Sequence, residues 1–135
     1  MKNSRLFFKG HSYNSANVAK ILHEFELNNI EKSQLVFEGQ CSREELLKGY
    51  SNIDIALDPF PYPGGTTTCE ALWMGVPTIT IKGNSFLSSV GETISVNSDN
   101  AELCANNLDE YIELAVQLSS DVAKLNLSRL QRRSH

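Results

Sequence analysis

The stretch DIALDPFPYPGGTTTCEALWMGVPTIT, Asp54 to Thr80, decides the fold. Ile53 to Leu57 is a mostly apolar segment of strand length, and Thr78 to Ile81, rich in β-branched residues, is a second strand. Between them Cys69 to Met74 has the composition of a short helix, ended by Gly75 and Pro77. Strand, loop, helix and strand in so short a space form the repeating unit of a parallel sheet with helical crossovers. The loop is richer than a reversal requires. One Pro-Gly pair would turn the chain, whereas here Gly64 and Gly65 run straight into Thr66, Thr67 and Thr68.

The same alternation continues on both sides. Leu6-Phe7-Phe8 reads as a strand, and Val18, Ile21, Leu22 and Phe25 fall at i, i+3, i+4 and i+7 of an amphipathic helix. Leu35-Val36-Phe37 is a further strand. Ser42-Arg43-Glu44-Glu45 is a capping box ahead of Leu46, Leu47 and Tyr50 on one helical side. Asn97 to Asn100 reads as a loop. Tyr111, Ile112, Ala115, Leu118, Val122 and Leu125 then give one or two closing helices over residues 108–135. Four strands with crossovers predict an α/β fold with a doubly wound, Rossmann-like parallel sheet, and residues 1–135 read as a single domain. There is no internal repeat or low-complexity tract.

Composition narrows the function classes. Of 135 residues, 41% are hydrophobic and 21% charged, with a net charge of −4, which is ordinary for a soluble globular chain. An acidic balance argues against a nucleic-acid partner, which needs clustered Lys and Arg. The basic cluster Arg129, Arg132 and Arg133 reads as a solvated helix end. Cys41, Cys69 and Cys104 are odd in number, widely spaced and without nearby His ligands, which points to reduced thiols and away from structural zinc. No apolar segment follows Met1 as a signal peptide would, and no run approaches the ~20 residues of a membrane span. The expectation is a cytoplasmic protein without a membrane partner.

Ligands of parallel α/β sheets sit outside the carboxyl ends of the strands, and the Asp58–Gly65 loop leaves a strand at that edge. Gly64 and Gly65 allow close approach to the backbone. Thr66, Thr67 and Thr68 open a helix whose first N–H groups lack intrahelical acceptors and favour an anion. Such a turn suits a diphosphate, and Glu70, one turn on, is placed to accept from ribose hydroxyls. The competing reading is a plain capping box, with Thr67 as cap and Glu70 reaching back to it. Neither G-x-G-x-x-G nor the Walker A pattern occurs.

The block from Asp54 to Thr80, preceded by SREELLKGYSN, closely resembles the C-terminal catalytic lobe of O-linked N-acetylglucosamine transferases and SPINDLY-like proteins, from about Ser4 to the last helix. The resemblance implies an incomplete C-terminal lobe of an inverting, two-lobed GT-B glycosyltransferase. It implies a UDP-GlcNAc donor, no metal or other cofactor, and transfer of GlcNAc to Ser or Thr hydroxyls of a protein acceptor. That acceptor would be engaged through the N-terminal lobe or repeats, so the stretch by itself is expected to be inactive. Carried over by position, Gly65, Thr66 and Thr67 lie in the turn that grips the diphosphate, Thr68 extends it, and Glu70 takes the ribose; Gly64 joins the donor-binding set through its open backbone. Leu72 and Trp73 are assigned to packing, and no catalytic residue is assigned.

Two departures bear on the base and the charge of the site. Leu46 stands where family members often carry a His near the base, and Ser89 where they often carry an Arg. The phosphate-binding Lys of the family precedes the region covered here. His11 lies after the first strand and is a further candidate donor contact, with plain solvation as its alternative. His23 reads as helix surface and His135 as terminal. Asp54 and Asp58 fit a sheet end and turn better than an acid–base pair, and Lys82-Gly83-Asn84 reads as a turn. The rival functions are GDP-fucose as donor, a non-catalytic lobe binding a nucleotide or protein, and a purely structural α/β domain.

Overall fold

The computed structural model describes residues 3–132. Met1, Lys2, Arg133, Ser134 and His135 lie outside the described residues, as does the Arg132 side chain. The chain forms two compact units, Met1–Arg43 and Glu44–His135.

The first unit holds β1 (Leu6–Lys9), α1 (Ser15–Leu27) and β2 (Leu35–Glu38). β1 and β2 pair in parallel, Leu6 opposite Leu35 and Lys9 opposite Glu38. Asn14 caps α1 by accepting the Asn17 N–H at 3.0 Å. The residues of α1 with reduced exposure are Val18, Ile21, Leu22 and Phe25, the face expected from their spacing. Phe25 meets Phe8 edge-on, and Phe8 stacks on Phe37 with centroids 4.9 Å apart.

The second unit is built on a three-stranded parallel sheet in the order β3 (Ala56–Leu57), β4 (Thr78–Ile81), β5 (Cys104–Ala105). α2 (Arg43–Gly49) precedes β3, α3 (Thr66–Trp73) joins β3 to β4, and α4 (Val90–Asn97) lies between β4 and β5. α5 (Leu108–Ser119) and α6 (Val122–Arg132) close the chain. Ile79, Ala105 and Tyr111 form the buried core, with Ile55, Ile81, Leu114, Ala115 and Leu118 packed against them. α3 ends in a Schellman motif. Gly75 has φ 75°, its N–H donates to Leu72 O and that of Val76 to Ala71 O, both at 2.9 Å.

The fold is α/β with parallel sheets, as the alternation implied. Several local expectations change. The strand after α2 contracts to two residues, β5 and α4 are additional, and α3 begins three residues earlier than its apolar content suggested. Trp73 is no packing residue, being 81% exposed. α3 buries Thr68 and Ala71, and Trp73, two positions beyond Ala71, falls on the opposite side of the helix. Arg129 is no solvated helix end either. Its guanidinium donates to Ile53 O at 3.0 Å and to Tyr50 O, tying α6 to the turn before β3.

Candidate functional site

Asp58 follows β3 directly, and its N–H continues the ladder by donating to Ile79 O at 2.9 Å. Residues Pro59–Pro63 then carry the chain to Gly64 at the carboxyl edge of the sheet. Gly65 is the N-cap of α3, with φ −108° and ψ −82°, and no side chain caps the helix. Thr67 is already the second helical residue, so the capping box in which it would be the cap does not form. The first turn of α3, at the positive end of the helix dipole, thus receives no side-chain cap from its N-cap residue.

The two glycines differ. A Cβ on Gly65 would meet nothing within 4 Å, so its backbone borders open space. A Cβ on Gly64 would fall 2.5 Å from Thr67 Oγ1 and 2.8 Å from Thr68 Oγ1. Internal crowding requires glycine at Gly64, whereas nothing within the chain crowds a side chain at Gly65.

Thr66 and Thr67 are exposed. Thr68 is 3% exposed and donates its hydroxyl to Asp58 Oδ1 at 3.2 Å. The same oxygen accepts the Gly64 N–H at 2.7 Å, while Thr80 Oγ1 donates to Asp58 Oδ2 at 2.9 Å. Among the sequence candidates, Gly65, Thr66 and Thr67 face outward and Gly64 and Thr68 are turned onto Asp58. Burial pushes the Asp58 carboxyl above its ordinary value, against the lowering effect of these three donors.

Glu70 is half-buried on α3. Its charge is felt by Tyr50, whose phenol is pushed up by burial first and by Glu70 second. Tyr50 donates to Thr67 O at 3.1 Å, a brace on the first turn of α3 that periodicity alone gave no sign of. Tyr111 donates to Asp58 O at 3.0 Å, and burial followed by the Asp58 charge drives its phenol strongly upward. Asp58 takes the sheet-end and turn position expected of it, but the convergence of the Gly64 N–H and the Thr68 and Thr80 hydroxyls on its carboxylate was missed. Its sequence signal is an Asp closing a strand six residues before a Gly-Gly pair, which is also the signature of an ordinary turn.

His11 belongs to the first unit, where its ring Nε2 lies 3.1 Å from the Gln40 side-chain amide. Leu46 is half-buried on α2. Ser89 donates to Gly83 O at 3.1 Å within the β4–α4 connection, so its hydroxyl braces its own loop. Among the described residues no group of three His, Cys, Asp or Glu side chains is arranged to hold a metal ion. No helix among them is long and apolar enough to cross a membrane.

A strand-to-helix turn at the carboxyl edge of a parallel α/β sheet is a common place for a ligand in many families, and the comparisons supply the family. The chain belongs to Glycosyl transferase family 41, whose family model matches residues 5–134. It is 47% identical over 87 residues to the probable UDP-N-acetylglucosamine–peptide N-acetylglucosaminyltransferase SPINDLY of Petunia hybrida, covering 64% of this chain and 9% of that protein. The UDP-N-acetylglucosamine–peptide N-acetylglucosaminyltransferase of Caenorhabditis elegans is 30% identical over 96 residues, 71% of this chain and 8% of that one. A mutant O-GlcNAc transferase of Thermobaculum terrenum superposes with a TM-score of 0.90 at 30% identity, over 96% of this chain and 25% of that chain. The chain therefore spans only a small part of the length of these relatives.

Proposed function

We propose that this chain binds the nucleotide-sugar donor, UDP-GlcNAc, of an enzyme that transfers GlcNAc to protein Ser or Thr hydroxyls. The observation that carries the reading is the uncapped first turn of α3 beside the open Gly65 backbone. In this reading the N–H groups and hydroxyls of Gly65, Thr66 and Thr67 meet the diphosphate, and Glu70 accepts from the ribose. Gly64 and Thr68 contribute by shaping the turn.

The chemistry asked of these residues is modest. They orient the donor and disperse the negative charge that grows on the diphosphate as the acceptor oxygen displaces it from the sugar. Backbone N–H groups and hydroxyls do this without a metal ion. The names of the relatives support UDP over GDP, and three free cysteines accord with a cytoplasmic setting. The protein acceptor and the transfer step belong to the whole enzyme.

The test is an amide-shift titration of the chain with UDP and, in parallel, GDP. Saturable shifts centred on Gly65 to Glu70 with UDP, and weaker ones with GDP, are expected. No shift in that segment at millimolar UDP would refute the reading, and tighter GDP binding would move the donor to the fucose class.

A further inference from the structure

Asp58 is 4% exposed, and four parts of the second unit converge on its carboxylate. The Gly64 N–H and the Thr68 hydroxyl share Oδ1, at 2.7 and 3.2 Å, and the Thr80 hydroxyl takes Oδ2 at 2.9 Å. On the Oδ2 side the group abuts Gly91 of α4, where a Cβ would fall 2.5 Å from Oδ2 and 2.2 Å from Thr80 Oγ1. Its backbone is held as well, by Ile79 O and by the Tyr111 hydroxyl. Loop, α3, β4, α4 and α5 are all registered on this one residue.

The chemistry of the cluster limits what it does. Three donors already occupy the carboxylate and the group is out of solvent, so it has no path to act as a base on an acceptor. What it does hold is the amide immediately before Gly65. An N–H fixed inward at Gly64 leaves the next peptide units to turn outward as α3 begins. Without that acceptor, Gly64 would be free to sample the wide backbone range open to glycine.

We infer that Asp58 is the positioning residue of the Gly65–Thr67 turn: by accepting the Gly64 N–H and the Thr68 and Thr80 hydroxyls it holds that backbone open toward a ligand. The consequence for affinity rests on the donor reading above. The consequence for the loop rests on the hydrogen bonds alone, and the two are measured separately.

The experiment uses the full 135-residue chain as wild type, Asp58→Ala, Asp58→Asn, Thr80→Val, and Leu125→Ala as a buried control on α6 outside the cluster. Amide hydrogen exchange is followed at Gly64 to Thr68, and UDP affinity by calorimetry. Losing a charged acceptor should speed exchange at Gly64 in Asp58→Ala by about tenfold or more beyond the control, and weaken UDP by a similar factor. Asp58→Asn, whose amide oxygen can still accept from Gly64, should stay within about threefold of wild type in both readouts. If Asp58→Ala does not fold, Thr80→Val carries the test: removing the Oδ2 donor alone should loosen Gly64 selectively. Exchange at Gly64 no faster than in Leu125→Ala, in every folded variant, overturns the inference, as does loss of UDP binding with Gly64 still protected. Absence of UDP binding in the wild type would refute the donor reading and leave the exchange measurements to decide the positioning role.

Discussion

Placing a methyl group on each of the two glycines in turn should separate fold from ligand. In Gly64→Ala the new carbon falls 2.5 Å from Thr67 Oγ1, 2.8 Å from Thr68 Oγ1 and 3.3 Å from Asp58 Oδ1. The exposed Thr67 hydroxyl can rotate away at small cost. The Thr68 hydroxyl can move only by giving up Asp58, a bond to an ionised acceptor worth about 1.5–3 kcal/mol. Residual overpacking adds about 1 kcal/mol. A loss of about 2.5–4 kcal/mol in folding free energy follows, read as a lower urea midpoint at unchanged m-value. In Gly65→Ala the methyl meets nothing within 4 Å and φ is already negative, so stability should hold within about 0.5 kcal/mol. UDP affinity should nonetheless fall about tenfold or more, because the carbon occupies the approach to the turn. Equal destabilisation by the two substitutions would refute the packing argument, and Gly65→Ala binding UDP like wild type would refute the ligand-facing role.

Replacing Thr66 and Thr67 together by Ala removes two exposed hydroxyls worth about 1 kcal/mol each, so UDP affinity should drop about 30-fold in calorimetry while the thermal midpoint is kept. Glu70→Gln should lower UDP affinity with little change in Tm; the reverse pattern would return Glu70 to a structural role. The pH dependence of stability should carry the mark of Asp58. Its carboxyl is raised in the folded state above its ordinary 3.8, so the native state binds the proton more tightly than the unfolded chain. The stability that protonated Asp58 contributes is fully present below 3.8 and is lost as pH rises from there through the raised value. Compared with Asp58→Asn in urea titrations, wild type should therefore lose ground over that interval, and a constant gap between the two proteins would contradict the shift.

How much of this was legible in the sequence depends on the range of the interactions involved. β1, β2, β4, α1 and α5 show in apolar runs and in i, i+3, i+4 spacing because one local pattern decides each of them. α4 does not, since VGETISVN is short, has a weaker apolar face than α1 or α5, and carries a helix-weakening Gly91, whose absent side chain is needed against Thr80 and Asp58. β5 is only Cys104–Ala105, too short for any periodicity, and is made a strand by pairing with Thr80 and Ile81. The placement of Trp73 turned on which side of α3 would be buried, and Thr68 took that side through its bond to Asp58. A polar residue in the interior overruled the expectation that the largest apolar residue goes inside.

The same point explains why a carboxylate stands where its burial is unfavourable. Three hydrogens converge on the side chain of residue 58, and a carboxylate offers two acceptor oxygens and no hydrogen of its own. An amide offers one oxygen and an NH2 group. Facing that oxygen to Gly64 and Thr68 would oblige the Thr80 hydroxyl to reverse from donor to acceptor, and would aim the second amide hydrogen at Gly91, which has no side chain to receive it. Asparagine can therefore keep the turn in place but with one polar hydrogen left over. Alanine leaves three polar groups without their acceptor, two of them on residues 3% and 1% exposed. The desolvation of one charge thus satisfies an N–H and two hydroxyls drawn from loop, helix and strand at once. With Asp58 in place the Gly64 amide points inward, and the open backbone begins at Gly65.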